Sequence, residues 1–281
     1  MTEPREHAQE NGTPTLRIRD LSIEFARRRG DDLRVVEQVS LDIWPNEIVG
    51  VIGESGSGKT LTSLATLRML PKRARITSGT IHLDDTSLHD RSEKDMRALR
   101  GDRIALIPQD AMQSLNPTLR IGRQVGEPLE LHSGFSMTRA REAARALLES
   151  VHIREPEKRV HEYPHQFSGG MQQRAMIAMG LALNPQLIIA DEPTTALDVT
   201  VQAQVLKLLR EIRDQKGTSI LFITHDLGVV AELCDWVYVM RDGRIVENGP
   251  VRRIFTAPQA DYTRMLLEAT PSIHTSPKGA R

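Results

Sequence analysis

The chain has 281 residues, enough for one large domain or two small ones with an ample core. Lys plus Arg and Asp plus Glu each number 37, so no net charge draws it to nucleic acid or to an acidic membrane surface. A single cysteine, Cys234, excludes an internal disulfide and a four-thiolate metal site, and no run approaches the ~18 consecutive apolar residues of a membrane span.

These bounds predict a soluble, cytosolic protein whose work at a membrane goes through partners. The polar start, residues 1–14, has no signal-peptide core and reads as a disordered tail. Leu16-Arg17-Ile18-Arg19 and Leu21-Ser22-Ile23-Glu24-Phe25 alternate as a strand with one wet face does. A charged turn over 27–32 leads to a second strand over 35–44, and Pro45-Asn46-Glu47 turns into the buried strand 48–52. An antiparallel β layer therefore precedes that strand. Phe25 lies where an aromatic ring could stack on a base; a Phe packed in the core is the alternative.

Next comes Gly53-Glu54-Ser55-Gly56-Ser57-Gly58-Lys59-Thr60, a match to the phosphate-binding loop G-x-x-x-x-G-K-[ST]. The following helix is expected to run from Thr60 to Leu70, with apolar Leu61, Leu64, Ala65 and Leu67, and to stop at Pro71. Glycines in such a strand-to-helix turn let successive N–H groups converge on an anion, and the helix start adds positive potential. Lys59 can then reach the β- and γ-phosphates, and the Thr60 hydroxyl can ligate Mg²⁺. The pattern predicts a nucleoside-triphosphate site.

Residues 78–85 suggest a strand and turn, 92–100 a short polar helix, and 103–108 a strand ending at Gln109. Over roughly 112–165 the strand signal disappears. Ala140, Ala143, Ala144, Leu147, Leu148 and Val151 mark an amphipathic helix, and the stretch reads as a helical subdomain inserted into the nucleotide fold. Phe167-Ser168-Gly169-Gly170-Met171-Gln172-Gln173 opens another helix, closed by Asn184-Pro185. Leu187-Ile188-Ile189-Ala190 is fully apolar, as a central parallel strand should be, and delivers Asp191 and Glu192 at its carboxyl end. A helix follows through Val201, Val205, Leu208, Leu209 and Ile212 to Gly217, then a strand over 219–224 delivering His225. Asp242-Gly243 signals a hairpin between 236–240 and 244–246, and residues 250–281 read as a tail.

Two adjacent acids after a phosphate loop fit phosphoryl transfer to water: Asp191 in the Mg²⁺ shell, Glu192 orienting or deprotonating the water. Gln109 could sense the metal or the water, and His225 could contact the γ-phosphate. Ser168-Gly169-Gly170 at a helix start is a second anion cradle by the same physics. One nucleotide does not need two cradles in one fold, so the second is expected to serve a nucleotide held by another subunit. His161 and His165, at i and i+4, fall in a Pro-broken loop and are not read as a metal pair.

Taken together, Gly53 to Thr60, Gln109, residues 167–173, residues 187–193, Ala196-Leu197-Asp198 and His225 resemble the ATP-binding cassette (ABC) family of transporter ATPases, over about residues 16–250. The wording of the phosphate loop, Ser114-Leu115-Asn116-Pro117, residues 163–171, and a C-terminal Ile254-Phe255-Thr256-Ala257-Pro258 with Tyr262-Thr263 and Leu266-Leu267 are similar to the importer branch for oligopeptides, dipeptides and nickel.

The resemblance implies an α/β fold with a RecA-like P-loop core (15–111 and 166–250), the N-terminal antiparallel β layer, the inserted helical subdomain (112–165) and a C-terminal extension (251–281). It implies ATP and Mg²⁺ as cofactors, with Thr60, Gln109 and Asp191 around the metal. It also implies a second ATPase subunit that is a non-identical paralogue, two membrane permease subunits, an extracytoplasmic solute-binding protein acting indirectly, and a place at the cytoplasmic face of the membrane. Ser168, Gly169, Gly170 and Gln172 would contact the partner's nucleotide, and Asp198 would couple the two sites. Phe167 and Met171 depart from the commonest signature. No cysteine lies in the tail, so no iron–sulfur cluster is expected. The cargo stays open between peptides and nickel or another small solute. A cytosolic non-transport ABC ATPase and a small-molecule P-loop kinase are the alternatives of other classes.

Overall fold

A computed structural model of the chain describes residues 12–27, 31–195 and 197–269. Most of the expected N-terminal tail, part of the charged turn, Ala196 and the last stretch from residue 270 lie outside the described residues.

β1 (Leu16–Phe25), β2 (Leu33–Ile43), β3 (Ile48–Ile52), α1 (Lys59–Thr66), β4 (Ala74–Leu83), β5 (Thr86–Ser87), α2 (Glu93–Leu99) and β6 (Ile104–Ile107) form the first half. The helical stretch follows: α3 (Ala111–Ser114), α4 (Ile121–Ser133), α5 (Met137–Ser150) and α6 (Pro156–Arg159). The chain closes with α7 (Gly169–Gly180), β7 (Leu187–Asp191), α8 (Val199–Lys216), β8 (Ser219–Ile223), α9 (Leu227–Leu233), β9 (Trp236–Arg241), β10 (Arg244–Pro250), α10 (Val251–Thr256) and α11 (Asp261–Ala269).

Two sheets are present, a four-stranded antiparallel one in the order β2-β1-β4-β5 and a six-stranded one in the order β10-β9-β3-β8-β7-β6. In the second sheet every pair from β9 to β6 is parallel, and only the edge pair β10–β9 is antiparallel. The central strands read as unbroken apolar runs because both faces are covered. Ile188, Ala190, Ile220 and Phe222 face the core shared with the helices. Leu187, Ile189, Leu221 and Ile223 face the core shared with the antiparallel sheet, where Leu16, Ile18, Leu21 and Ile23 of β1 pack. Cys234 is buried, and burial pushes its thiol far above the ordinary range.

Local signals account for most boundaries. Ser92 caps α2 with a capping box to Asp95, and Gly217, left-handed at φ 66°, ends α8. Helix α1 is shorter than the sequence predicts: it ends at Thr66 rather than Leu70. Arg68 adopts φ 51°, with Arg68 N bonding to Ala65 O and Met69 N to Leu64 O, a Schellman stop made by a residue that does not advertise one. The Arg100 Nε also donates to Leu67 O at 2.9 Å and fixes that end.

The stretch read as a tail contains α10 and α11, with Ile254 and Tyr262 buried. The buried Glu247 carboxylate on β10 accepts hydrogen bonds from Gln259 N (2.9 Å) and Ala260 N (3.0 Å), holding the entry to α11 against the sheet edge. Burial alone would raise the Glu247 pKa, but these bonds outweigh it and hold the group below its usual range.

Candidate functional site

Parallel strands of one sheet deliver their C-terminal ends to a common edge, where open α/β sheets carry their ligands. β3 leads to Gly53, β6 leads to Gln109, β7 ends at Asp191 with Glu192 next, and β8 leads through Thr224 to His225. A cavity of about 680 Å³ opens at this edge. Its walls include residues 53–56 and 58–60 of the loop together with Gln109, Glu192, Thr195, His225 and Leu266.

The loop departs from β3 with Gly53 at φ 151°, and a Cβ there would sit 2.0 Å from the Met240 carbonyl oxygen, so no other residue fits. Ser57 is buried and is not among the cavity walls; its N–H donates to Glu54 O at 3.2 Å and its carbonyl accepts from Gly243 N at 3.1 Å. The ammonium of Lys59, a residue only 6% exposed, donates to both Gly53 O and Glu54 O at 2.8 Å. Burial lowers its pKa, against the opposing pull of the Glu192 and Asp191 carboxylates.

Behind the cavity wall the Thr60 hydroxyl donates to the buried Asp191 at Oδ1, 3.2 Å away. Burial raises the Asp191 pKa, the Thr60 bond lowers it, and the neighbouring Glu192 raises it again. A hydroxyl and a carboxylate oxygen side by side, the carboxylate poorly solvated, make a hard-oxygen pair suited to a divalent cation that also binds phosphate.

Glu192 is the hub of the second wall. It takes φ 47°, an uncommon conformation for a residue with a side chain. Its carboxylate accepts from Gln109 Nε2 at 3.1 Å, Thr195 Oγ1 at 3.0 Å and His225 Nδ1 at 3.2 Å. The last bond places the imidazole proton on Nδ1, since an ionised carboxylate only accepts. Three donors from three different segments fix one carboxylate beside the phosphate loop.

Other expected residues lie off this cavity. Phe25 ends β1 half-buried, opposite Leu33 and Ala74, and is not among the walls. Ser168 caps α7 by accepting from Met171 N at 3.3 Å, and neither it nor Gly169 nor Gly170 borders the cavity. Gln172, expected to face a partner's nucleotide, turns inward: it is 5% exposed and its Nε2 donates to Pro164 O (2.8 Å) and Phe167 O (3.3 Å), bracing the loop from behind. Asp198 is exposed and caps α8 through Val201 N at 2.9 Å.

Residues 36–195 match the family model described as ABC transporter. The chain belongs to the ABC transporter family. It is an ATP-binding cassette ATPase. Among its relatives, the peptidoglycan transport ATP-binding protein YejF of Agrobacterium fabrum is 51% identical over 93% of this chain, which spans about half (48%) of that protein. The oligopeptide transport ATP-binding protein OppD of Bacillus subtilis is 46% identical over 94% of this chain and 74% of its own length. Among solved structures, the post-hydrolysis dimer of the ATP-binding cassette MJ0796 bound to ADP and Pi superimposes with a TM-score of 0.74 and 27% identity, covering 84% of this chain and 99% of that one.

Gly169 and Gly170, at the start of α7, are not equivalent. A Cβ on Gly169 would meet nothing within 4 Å, whereas one on Gly170 would lie 2.4 Å from Val201 Cγ1 on the first turn of α8. Gly170 therefore lets α7 and α8 approach, while Gly169 leaves an open face. Gly170→Ala is expected to destabilise the fold by about 1–3 kcal/mol through overpacking, and Gly169→Ala to leave stability nearly unchanged. Urea unfolding midpoints of the two variants check this; equal midpoints would refute the packing role.

Sequence reasoning missed Thr195, which sits three residues after Glu192 and closes a short turn back to its carboxylate, and it missed Tyr262, whose hydroxyl accepts from Glu54 N at 3.2 Å. A hydroxyl three positions after an acid is a faint local signal. Tyr262 stands only among the C-terminal residues that resemble the importer branch, with no role at the nucleotide attached to it.

Proposed function

We propose that this chain is one of two ATPase subunits driving an importer of oligopeptides or dipeptides, docked on two permease subunits at the cytoplasmic face of the membrane. One observation supports this most. A single cavity gathers Lys59, Thr60, Gln109, Glu192 and His225, while the Ser168–Gly170 cradle borders none of it. A cradle with no nucleotide of its own makes sense if it faces the nucleotide of a second ATPase, a non-identical paralogue, in a head-to-tail dimer.

In this mechanism residues 53–60 wrap the phosphates with backbone N–H groups, and Lys59, aimed by its bonds to the Gly53 and Glu54 carbonyls, turns its third N–H to the β- and γ-phosphates. Thr60 and Asp191, with Gln109 nearby, would hold Mg²⁺, which supplies charge neutralisation on the phosphate oxygens. Glu192 orients and deprotonates the attacking water, and His225 meets the γ-phosphate. Phe25 is the candidate base platform. Closure brings the partner's corresponding cradle over the γ-phosphate, as Ser168–Gly170 of this chain covers the partner's nucleotide, and excludes bulk water. Asp198 couples the two composite sites, and the helical stretch carries the motion to the permease.

The peptide cargo is supported by relatives whose names are those of oligopeptide transport and peptide import proteins, OppD of Bacillus subtilis among them. Reconstitution of the chain with its permease, paralogue and solute-binding protein in proteoliposomes tests it. ATP-driven accumulation of labelled peptide is expected; accumulation of nickel or another small solute with no peptide uptake would overturn the cargo, and no ATP-driven uptake would overturn the importer role.

A further inference from the structure

The nucleotide cavity has one wall that the phosphate-binding strands do not supply. Leu266 and Ala269 of α11 line it, at positions i+4 and i+7 from Tyr262 and so on the same helix face. Tyr262 is 5% exposed, with the Arg241 guanidinium 4.7 Å from its ring centroid, and its hydroxyl accepts from Glu54 N. Burial pushes its phenol up, so it stays a neutral hydroxyl at neutral pH.

The peptide it touches is the one that aims Lys59. In a planar trans peptide the N–H and C=O point in opposite directions. The Gly53–Glu54 peptide directs its N–H to Tyr262 and its carbonyl to Lys59 Nζ at 2.8 Å. Gly53 itself is pinned against the Met240 carbonyl, so this peptide has little room to turn except about the bond that Tyr262 restrains. Helix α11 is in turn anchored by the bonds of Gln259 N and Ala260 N to Glu247.

We propose that α11 is a structural part of the nucleotide site: Tyr262 is a positioning residue that, through the Gly53–Glu54 peptide, sets Lys59 for the β- and γ-phosphates, while Leu266 and Ala269 wall the cavity. The inference rests on the assignment of this cavity to a nucleoside triphosphate. It makes the affinity for ATP depend on a helix lying 208 residues away from the loop in sequence.

The test uses the full chain with ATP and AMP as probes, measured by calorimetric titration. Tyr262→Phe removes only the hydroxyl. It is expected to raise the Kd for ATP roughly threefold to tenfold, the scale of one lost hydrogen bond, and to leave the Kd for AMP unchanged, while the nucleotide-free chain stays folded with its melting midpoint lowered by no more than that one bond. AMP lacks the phosphates that Lys59 serves, so a general loosening of the cavity would weaken both ligands alike. An unchanged ATP affinity, or an equal loss for ATP and AMP, overturns the positioning role. Lys59→Ala in the same series separates the two levels. If it weakens ATP binding while Tyr262→Phe does not, the clamp fails alone; if the parent chain itself binds no ATP, the nucleotide assignment fails.

Discussion

Glu192→Gln is expected to lower single-turnover ATP hydrolysis by about 10²–10⁴-fold while ATP binding survives, the range spanned by loss of a positioned general base. The substitution is nearly isosteric, and Gln tolerates the φ of 47° at this position as well as Glu does, so the backbone is not the source of the effect. What changes is the set of acceptors. Gln109 Nε2, Thr195 Oγ1 and His225 Nδ1 all aim donors at the carboxylate, and a carboxamide answers with one oxygen and one NH₂ group. With its oxygen toward Gln109 and Thr195 and its NH₂ toward His225, whose Nδ1 accepts in the other tautomer, the carboxamide keeps the three-point support while the base disappears. Lys59, Thr60 and Asp191 are untouched, which is why binding is expected to persist. Because hydrolysis would no longer open the ATP-bound state, the variant is also expected to elute as a dimer in ATP and as a monomer without it. Turnover within tenfold of the parent chain removes Glu192 from the chemistry.

The sequence signals that succeeded here are those whose cause is local or averaged over a whole strand. Leu187 to Ala190 reads as a central strand because both of its faces are buried, and any sequence solution to that environment is apolar throughout. Asp242 and Gly243 reveal the β9–β10 hairpin because its turn needs positive φ at both positions, and they take 48° and 79°. The phosphate loop is legible for the same reason: Gly53 has no substitute where the Met240 carbonyl crosses it.

The signals that failed depend on partners far along the chain. Helix α4 buries Ile121, Val125 and Leu129 at helical spacing, yet Pro128 inside it masks the pattern. The end of α1 is set by a left-handed Arg68, a residue with no preference for that conformation. The buried face of α1 also looks polar in sequence, because Thr62, Ser63 and Thr66 return their hydroxyls to carbonyls of the preceding turn. Helix α11 reads as a tail because Tyr262 gains its burial from distant partners, among them Arg241 of β9 and the Glu54 N–H of the loop. At the site, the residue types were legible but not their orientations: the inward turn of Gln172 and the different tasks of Gly169 and Gly170 exist only once α7 is packed on α8.

Lys59→Ala is expected to weaken ATP binding by roughly 10- to 100-fold, the loss of hydrogen bonds to a charged group in a shielded site. The ammonium has two functions that the substitution removes together. It supplies positive charge for the β- and γ-phosphates, and it offsets the negative charge of Asp191 and Glu192, both of which act on its own titration. Without it the two carboxylates face an incoming polyanion with less compensation, so the penalty should exceed that of one neutral hydrogen bond. The cost to the fold should be small by comparison. The Gly53 and Glu54 carbonyls lose a donor but border an open cavity where water can replace it, and the burial cost of the ammonium disappears as well. Lys59→Met, which keeps the stem and removes only the charge, should behave like the alanine variant, whereas Lys59→Arg should recover only part of the affinity because the broader guanidinium does not fit a site built for a compact ammonium. Calorimetric ATP titrations of the three variants, run beside their melting midpoints, check this. Parental affinity in the alanine and methionine chains, at unchanged stability, would mean that the loop's backbone N–H groups hold the triphosphate without help and that Lys59 is no more than a buried brace for the Gly53–Glu54 peptide.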